Sequence, residues 1–480
     1  MKSRTPLALA LLTVALHLVI LGRYGWFRDE LYFLACGRRL AWGYVDQPPL
    51  IALVSRTAYA LSFGSLTLYR LPAALAHGGL VYLAGRFAER LGGGAVLACL
   101  AVAFAPVYAV DGHLLTMNAF EPLLYLAACT LLLLLLRGGD ARLWLGVGAL
   151  TGLGILNKHS FVLHAGCLLL ALLLTPGRRA LASRWFAGGV LVAALLVLPH
   201  AIWQVRAGFP MLELLAAQKW KNAPWTPQEF VVQQLLQLNP LAALAGLFGL
   251  RLLWREARPL ALAFVLQLAL FAALKGKSYY VAADWVPLIA AAGPALRRLQ
   301  LPAAALLAAT DAALLPIALP ILPPAALARY QLALGIAPQK MENLDYGALP
   351  QHLADMFGCQ ELHDAVAEAA LQLAPGERAA VYTQNYGEAG ALELFGSAGL
   401  PVISGHNNYF LWGAPRGLTA LLIVGGRLSS HLEAFEECHE AARERISPWA
   451  MPYEQGRPIW ICRRPRAPLE VLWPRVKHYQ

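Results

Sequence analysis

The chain has little charge for its size. Only 14% of its 480 residues are Asp, Glu, Lys or Arg, whereas soluble domains carry about 25%. This shortage, together with 58% hydrophobic residues, argues against an ordinary soluble enzyme and indicates a membrane protein. Runs such as "LYLAACTLLLLLL" approach the roughly 20 apolar residues that cross a bilayer core.

Several familiar motifs are also missing. None of the seven cysteines forms a C-x-x-C pair and several lie in apolar runs, so we expect neither a metal cluster nor a disulfide framework. The G-x-G-x-x-G and P-loop spacings are absent, which gives no support to a nucleotide site. Inverted pairs of broken helices, which would indicate a secondary transporter, are not found either.

The apolar segments predict a multi-pass α-helical membrane protein with about eleven spans. Their approximate limits are 6–22, 66–85, 95–110, 114–136, 143–157, 160–174, 185–203, 229–250, 259–274, 283–296 and 301–321. The opening "MKSR" could begin a signal peptide, but no A-x-A-like cleavage site follows, and we interpret the first run as a retained helix.

The net charge of +11 has two explanations, nucleic-acid binding and membrane topology. With the N terminus placed inside, Arg and Lys collect in alternate loops, as the positive-inside rule requires. Topology therefore accounts for the charge, and we expect no nucleic-acid partner. The same orientation predicts that the polar loops and all residues after 321 lie outside an inner (plasma) membrane.

The composition changes near the C terminus. The runs "AAVYT", "LPVIS", "TALLIVGG" and "PIWICRR" are typical of strands, and they alternate with stretches interpreted as helices, among them "SHLEAFEECHEAARER". This pattern predicts a small extracytoplasmic α/β domain. The predicted organisation is a membrane domain at 1–325 with a first outer loop at 23–65, a hinge at 326–340 and the α/β domain at 341–480.

The first outer loop, "WFRDELYFLACGRRLAWGYVDQPPL", is rich in acids. A carboxylate of Asp29 or Glu30 that meets an incoming hydroxyl can act as a general base, whereas an ordinary solvated pair would only pair with Arg28. The Pro-Pro pair that follows fixes the backbone and would hold Asp46 and Gln47 in a defined geometry. We predict that this loop contributes to a site.

A second set of polar residues lies near the outer ends of later helices. Asn118 and Glu121 are one helical turn apart, and an acid inside a span is costly and usually functional, although Glu121 could simply pair with a neighbouring helix. The segments "NKHS" and "KGKSYYVAAD" add six further candidates: Lys158, His159, Lys275, Lys277, Tyr279 and Tyr280. Lysines on the outer side would bind an anionic lipid head group, with interfacial anchoring as the alternative.

Three segments resemble the membrane glycosyltransferases of the GT-C class. They are "DELYFLACGRRLAWGYVDQPPL", "GLGILNKHS" and "KGKSYYVAADWVPLIAAAG", in that order within roughly residues 1–300. The similarity is to family 39, the dolichyl- or polyprenyl-phosphate-sugar-dependent mannosyltransferase type, and to the related lipid A aminoarabinose transferases. It implies transfer of a sugar from a polyprenyl-phosphate donor to a lipid, glycan or protein hydroxyl on the outer face.

The resemblance also implies roles for particular residues. Asp29 would deprotonate the acceptor and Glu30 would support it. Lys158, Lys277 and Tyr279 would hold the donor phosphate.

The sequence departs from these relatives at two places. Gln47 stands where the aminoarabinose enzymes have Lys before Pro-Pro, and "LTMNAFEP" replaces "L-T-D-M-P", so the second acid is displaced to Glu121 or absent. No cofactor is required by the spacing, although Asp29, Asp46 and Glu121 could bind a divalent cation through oxygen ligands.

Two other functions compete with a transferase. A transporter or flippase for a polyprenyl-linked sugar would spread polar residues through the midplane of the helices, whereas here they concentrate near one face. A noncatalytic assembly subunit for envelope polysaccharide would not need acids beside lysines. The sequence leaves the sugar, the acceptor and the oligomeric state open.

Overall fold

The structure is a computed structural model that describes residues 3–221, 225–338, 340 and 342–479. The chain forms two compact units. The first holds Met1–Arg23, Gln47–Arg206 and Pro224–Leu322, and the second holds Tyr24–Asp46, Ala207–Ala223 and Pro323–Gln480. The acid-rich segment Tyr24–Asp46 thus belongs to the same unit as the C-terminal residues, and the domain limits given above stay a prediction.

The first unit is built from α-helices. They are Thr5–Ile20, Leu50–Ser62, Leu66–Arg90, Ala95–Phe104, Pro106–His113, Glu121–Leu136, Leu143–Asn157, Phe161–Leu173, Arg184–Arg206, Pro227–Leu238, Pro240–Glu256, Arg258–Ala273, Ala282–Ala295 and Gln300–Ala318. Small residues let neighbouring helices approach closely: a Cβ added to Gly148 would lie 2.0 Å from the carbonyl oxygen of Gly189. Such close contacts are typical of helices that pack within a membrane.

Fewer helices than predicted have the length and hydropathy of a membrane span. Within the described residues, three helical stretches are long and apolar enough to cross a membrane: Met117–Leu136, Arg184–Arg206 and Arg297–Ala318. Two bent pairs would raise the number to five if each pair is one span. The prediction of eleven spans is therefore not confirmed, although helices occupy all eleven predicted segments.

The two bent pairs show why apolar composition overestimates straight spans. The segments predicted at 95–110 and 229–250 bend by 63° and 98°, in each case at a proline. Proline lacks the N–H that continues the helical hydrogen bonds, so the axis changes direction before Pro106 and before Pro240. At the second bend, the Asn239 side chain accepts a hydrogen bond from the nitrogen of Leu241 at 2.9 Å and starts the next helix.

The second unit contains one five-stranded sheet. Its strands are β1 (Ala379–Thr383), β2 (Val402–Ser404), β3 (Ala420–Val424), β4 (Phe435–Arg443) and β5 (Pro458–Pro465). The order is β2-β1-β3-β5-β4, with β1 parallel to β2 and β3, and with β5 antiparallel to β3 and β4. The predicted α/β character of this region is confirmed.

The second unit also contains helices. They are Arg28–Arg38, Pro210–Lys221, Pro324–Ala333, Gln351–Ala354, Cys359–Ala370, Tyr386–Phe395, Asn407–Trp412, Leu428–Ala434 and Leu469–Leu472. The helix Pro324–Ala333 covers most of the predicted hinge, of which residue 339 lies outside the described residues. The helix Arg28–Arg38 lies in the acid-rich segment, and its Leu31 is buried in the same core as Val381 of β1 and Leu392.

Two sequence predictions fail at the edge of the sheet. The stretch interpreted as one helix ends at Ala434, and the residues that follow form β4, because pairing with β5 outweighs local helix preference. Cys438 and Cys462, paired across β4 and β5, form a disulfide that was not predicted. The 24-residue separation gives no signal in the sequence, since the register of the two strands is what brings the cysteines together.

Candidate active site

The acid-rich helix Arg28–Arg38 begins with both predicted catalytic acids in its first turn. Glu30 is fully buried, and its Oε2 accepts a hydrogen bond from the backbone nitrogen of Phe27 at 3.0 Å. A carboxylate at this end of a helix satisfies an otherwise unpaired N–H and complements the helix dipole. Glu30 therefore fixes the start of the helix that carries Asp29.

Asp29 and Asp46 contact the same pair of tyrosines. Asp29 Oδ1 accepts a hydrogen bond from Tyr386 Oη at 2.9 Å, and Asp46 Oδ1 accepts one from Tyr32 Oη at 2.9 Å. The two tyrosine rings stack with their centroids 4.5 Å apart. The side chain of Asp29 remains 34% exposed, which leaves the carboxylate accessible to a substrate hydroxyl.

Gln47 directly follows this segment but belongs to the first unit. It is fully buried, and neither atom of its amide has a hydrogen-bond partner within the part of the chain that the structure describes. A buried amide without partners costs free energy unless another polar group reaches it. Gln47 therefore remains a candidate for binding a polar group of the substrate.

Glu121 and Lys158 form a buried ion pair in the first unit. Lys158 Nζ lies 2.6 Å from Glu121 Oε2, and Ser160 Oγ donates to Glu121 Oε1 at 2.7 Å. Glu121 begins the helix Glu121–Leu136, and Lys158 directly follows the helix Leu143–Asn157. The pairing of Glu121 with a neighbouring helix, left open by the sequence, is what the structure shows.

The ion pair continues into a buried histidine and a second acid that sequence reasoning missed. His164 Nε2 lies 3.4 Å from Glu121 Oε1, and His164 Nδ1 lies 3.0 Å from Asp284 Oδ2. Both residues sit in apolar runs, "FVLHAGCLLL" and "VAADWVPL", without any motif spacing. The usable signal was only that a titratable side chain in an apolar segment is costly and usually has a function.

The lysine also contacts Tyr279, which the resemblance implied, and the neighbouring candidate Tyr280. Lys158 Nζ lies 4.8 Å from the ring centroid of Tyr280 and 5.7 Å from that of Tyr279. These are cation–π distances, so the rings and Glu121 hold the ammonium group from different sides. The structure thus brings Lys158, Tyr279, Tyr280 and Glu121 into one cluster.

The other two lysines differ in their surroundings. Lys277 is half-buried at the start of the turn Ser278–Val281, and within the described residues its ammonium group has neither a hydrogen bond nor an ion pair. Lys275 is exposed and has a φ of +54°, which is uncommon for a residue other than glycine. Of these two lysines, Lys277 is the better placed to bind an anion in a partly desolvated position.

Asn118 and His159 are close in sequence to Glu121 and Lys158 of this cluster and lie in turns between α-helices. Asn118 belongs to the short 3-10 turn Met117–Ala119, which directly precedes the helix that Glu121 begins. His159 Nε2 lies 3.0 Å from His200 Nε2. Such a pair requires one ring nitrogen to carry the proton and the other to accept it.

The possible metal ligands do not form a cluster. Across the residues that the structure describes, no group of three or more His, Cys, Asp or Glu side chains could hold a metal ion. Of the three candidate ligands, Asp29 and Asp46 are in the second unit and Glu121 is in the first. Within the units as described, the geometry gives no support to a divalent-cation site.

Solved structures and one family model are similar to this chain. The fold is similar to that of ArnT from Cupriavidus metallidurans bound to undecaprenyl phosphate, with a TM-score of 0.62, 16% identity, and coverage of 95% of this chain and 97% of that one. The apo state of the same protein gives a TM-score of 0.57 and 17% identity at the same coverage. The family model for dolichyl-phosphate-mannose-protein mannosyltransferase matches residues 46–203.

The predicted resemblance to GT-C glycosyltransferases is confirmed. The GT-C family match includes Gln47, Glu121 and Lys158 and ends before Lys277. The family match covers part of the chain, and the likeness to the solved structures shows that the chain shares their fold. A comparison with curated proteins finds no significant match.

Proposed function

We propose that this protein transfers a sugar from a polyprenyl-phosphate donor to an acceptor hydroxyl on the outer face of the membrane. The observation that carries the proposal is the family match over residues 46–203, which contains the buried pair of Glu121 and Lys158. A cation held beside two tyrosines suits the phosphate of a lipid-linked sugar.

The proposed reaction is a single displacement at the sugar. Asp29 accepts the proton of the acceptor hydroxyl, whose oxygen forms a bond to the anomeric carbon. The bond from that carbon to the phosphate oxygen breaks, and the polyprenyl phosphate leaves with the electron pair. Lys158, Lys277 and Tyr279 stabilise the charge that grows on this leaving group, which lowers the barrier more than it strengthens substrate binding.

A donor-cleavage assay separates the transferase from its two alternatives. The purified protein is incubated with a panel of radiolabelled polyprenyl-phosphate sugars and a membrane extract. We expect label to leave one donor and to appear on an acceptor. A transporter would move the intact donor between leaflets of a vesicle, and an assembly subunit would leave it unchanged; either result would replace the proposal.

Substitution of Lys277 tests the phosphate site. Lys277→Ala should reduce kcat/KM for the donor about 10- to 100-fold, because a hydrogen bond to a charged group is lost. Lys277→Arg keeps the charge and should retain part of the activity. Initial rates at varied donor concentration give both constants.

The comparison variants are Lys275→Ala and Lys158→Ala, and the matched control is Arg255→Ala, an exposed cation in the first unit. If Lys277→Ala matches the wild type while Lys275→Ala or Lys158→Ala does not, the phosphate contact belongs to that other lysine. Wild-type kinetics for all three lysine variants would remove the main support for a lipid-phosphate donor.

The side of the membrane on which the second unit lies can be measured directly. We expect the unit to be extracytoplasmic, a location supported by the basic loops of the sequence and by the Cys438–Cys462 disulfide, since such bonds persist in oxidising compartments. Trp42→Cys and Arg416→Cys, both at exposed positions, should react with a membrane-impermeant maleimide on intact cells. Arg255 lies in the basic stretch "RLLWREAR" at 251–258, one of the loops that the positive-inside rule places inside. Arg255→Cys should therefore react only after lysis.

The native thiols give little background, because four of the five free cysteines are buried and Cys359 is half-buried. Labelling of Arg255→Cys on intact cells, or protection of both other positions, would contradict the topology.

A further inference from the structure

Four aromatic rings form a continuous stack in the second unit. Tyr32 stacks on Tyr386 at 4.5 Å between centroids, Tyr386 on His406 at 4.6 Å, and His406 on His478 at 4.7 Å. Tyr32 comes from the acid-rich helix, and the other three rings come from the part of the chain that builds the sheet. The stack therefore connects the acid-rich segment to the sheet.

Hydrogen bonds fix both tyrosines at the acid end of this stack. Tyr386 Oη donates to Asp29 Oδ1 at 2.9 Å, its backbone nitrogen donates to His406 Nδ1 at 3.2 Å, and Tyr32 Oη donates to Asp46. Burial and the charge of Asp29 raise the pKa of Tyr386 well above its ordinary value, and burial and Asp46 raise the pKa of Tyr32 likewise. Both phenols therefore keep their protons and act as donors.

Two glycines allow the helix of Tyr386 to lie against the acid-rich helix. A Cβ added to Gly390 would lie 2.8 Å from the backbone carbon of Leu31, and one added to Gly387 would lie 2.5 Å from Arg28 Cγ. A larger residue at Gly390 would push the two helices apart, because the atom that its Cβ meets belongs to the backbone. The sequence "YGEAG", at 386–390, thus provides both the hydroxyl and the close approach that brings it to Asp29.

The backbone on both sides of this contact is also held in place. The Asn385 side chain accepts a hydrogen bond from the nitrogen of Glu388 at 3.0 Å and caps the helix that Tyr386 begins. Asn408 Oδ1 accepts a hydrogen bond from the nitrogen of Val45 at 2.6 Å, next to Asp46. The first bond fixes the start of the helix that carries Tyr386, and the second holds the residue before Asp46 against Asn408.

We propose that Tyr386 is a positioning residue for the carboxylate of Asp29, so that the C-terminal sheet region forms part of the catalytic apparatus. The inference rests on the proposed function, in which Asp29 is the general base. A hydrogen bond to Oδ1 fixes the rotation of the carboxylate and leaves Oδ2 to receive the acceptor proton. Small errors in the placement of a reacting group can cost large factors in rate.

Few other polar groups compete for this carboxylate. Among the described residues, Tyr386 donates its one hydrogen bond, and Arg28 Nε lies at 3.9 Å from Asp29 Oδ1. Arg28 is shared, because its guanidinium also donates to Tyr453 Oη at 3.0 Å and lies 3.7 Å from Asp355. Glu342, Asp46 and His406 are the further titratable groups that surround the Tyr386 ring.

The test is Tyr386→Phe, which keeps the ring, its stacking and the glycine contacts and removes only the hydroxyl. We expect kcat to fall about 10- to 100-fold with donor KM nearly unchanged, because a hydrogen bond to an ionised group is lost. The split between a lowered kcat and an unchanged donor KM is the sign of a positioning role, because a tyrosine that only supported the fold would affect both constants. Tyr382→Phe, a half-buried tyrosine of β1, is the matched control and should behave as wild type.

A second measurement needs no substrate. Carbodiimide labelling of Asp29 in the full-length protein at one fixed pH, followed by mass spectrometry, should proceed faster in Tyr386→Phe than in the wild type or Tyr382→Phe, because the carboxylate has lost its hydrogen-bond partner. Unchanged kcat and labelling overturn the inference, and so does a fall in kcat accompanied by an equal loss of donor binding or of thermal stability, which would indicate a merely structural tyrosine. If the wild type cleaves no donor while the labelling rate rises in Tyr386→Phe, the proposed function fails and the contact between Tyr386 and Asp29 stands.

Discussion

Asp29→Asn is expected to lower kcat for sugar transfer by a factor of about 100 to 10,000, the usual effect of losing a general base. The amide has nearly the same shape and can still accept a hydrogen bond from Tyr386, but it cannot take a proton from the acceptor. Folding and donor KM should therefore change little. Steady-state kinetics with the donor identified in the cleavage assay, together with thermal melting, measure the three quantities.

The control for this variant is Asp364→Asn. Asp364 is an exposed acid of the same unit that accepts a hydrogen bond from Gln360 one helical turn away. Its substitution should leave transfer unchanged. Turnover near the wild-type rate in Asp29→Asn would exclude Asp29 as the base. Asp46 would then be the next candidate, because it accepts a hydrogen bond from Tyr32 of the same stacked pair.

Lys158→Met is expected to reduce both stability and donor binding. The substitution leaves the buried carboxylate of Glu121 without its ammonium partner, and breaking a buried ion pair from one side costs about 3–5 kcal/mol in the free energy of unfolding. Ser160 and His164 remain near Glu121 and offset part of this cost. Thermal melting in detergent and donor KM are the measurements.

The double variant Lys158→Met/Glu121→Gln separates the two roles of the pair. Replacing both charges removes the unpaired carboxylate, so much of the lost stability should return. Activity should not return if Lys158 contacts the donor phosphate. Recovery of both stability and transfer in the double variant would show that the pair is structural and that the phosphate is bound elsewhere.

Local patterns in the sequence predicted the regular elements well. The apolar runs predicted the helical segments, and "AAVYT", "LPVIS", "TALLIVGG" and "PIWICRR" predicted β1, β2, β3 and β5, because short and mostly buried strands leave short apolar runs in the sequence. The failures depend on partners distant in sequence. Strand β4 reads as a helix until its pairing with β5 is known, and the bends before Pro106 and Pro240 reduce the number of straight spans.

For the candidate site, the sequence predicted single residues and not the contacts between them. The sequence drew attention to Lys158 and Glu121 separately, since a charge near an apolar segment is conspicuous. It could not show that the two are bonded to each other, or that His164 and Asp284 continue the network, because those contacts join different helices. Tyr386 lies far outside the motifs that suggested the family, so only the fold reveals its contact with Asp29.

The contact between Tyr386 and Asp29 also has a consequence for biosynthesis. The two residues are 357 positions apart, and at a translation rate of about 5–20 residues per second the ribosome adds Tyr386 roughly 20 to 70 s after Asp29. Throughout this interval the nascent chain holds the candidate base without its hydrogen-bond donor and without the sheet that anchors the acid-rich helix. A chain released before β1 is translated would therefore contain the predicted membrane helices and the lysine cluster and still lack an oriented base, so incomplete chains left in the membrane would not consume the lipid-linked sugar.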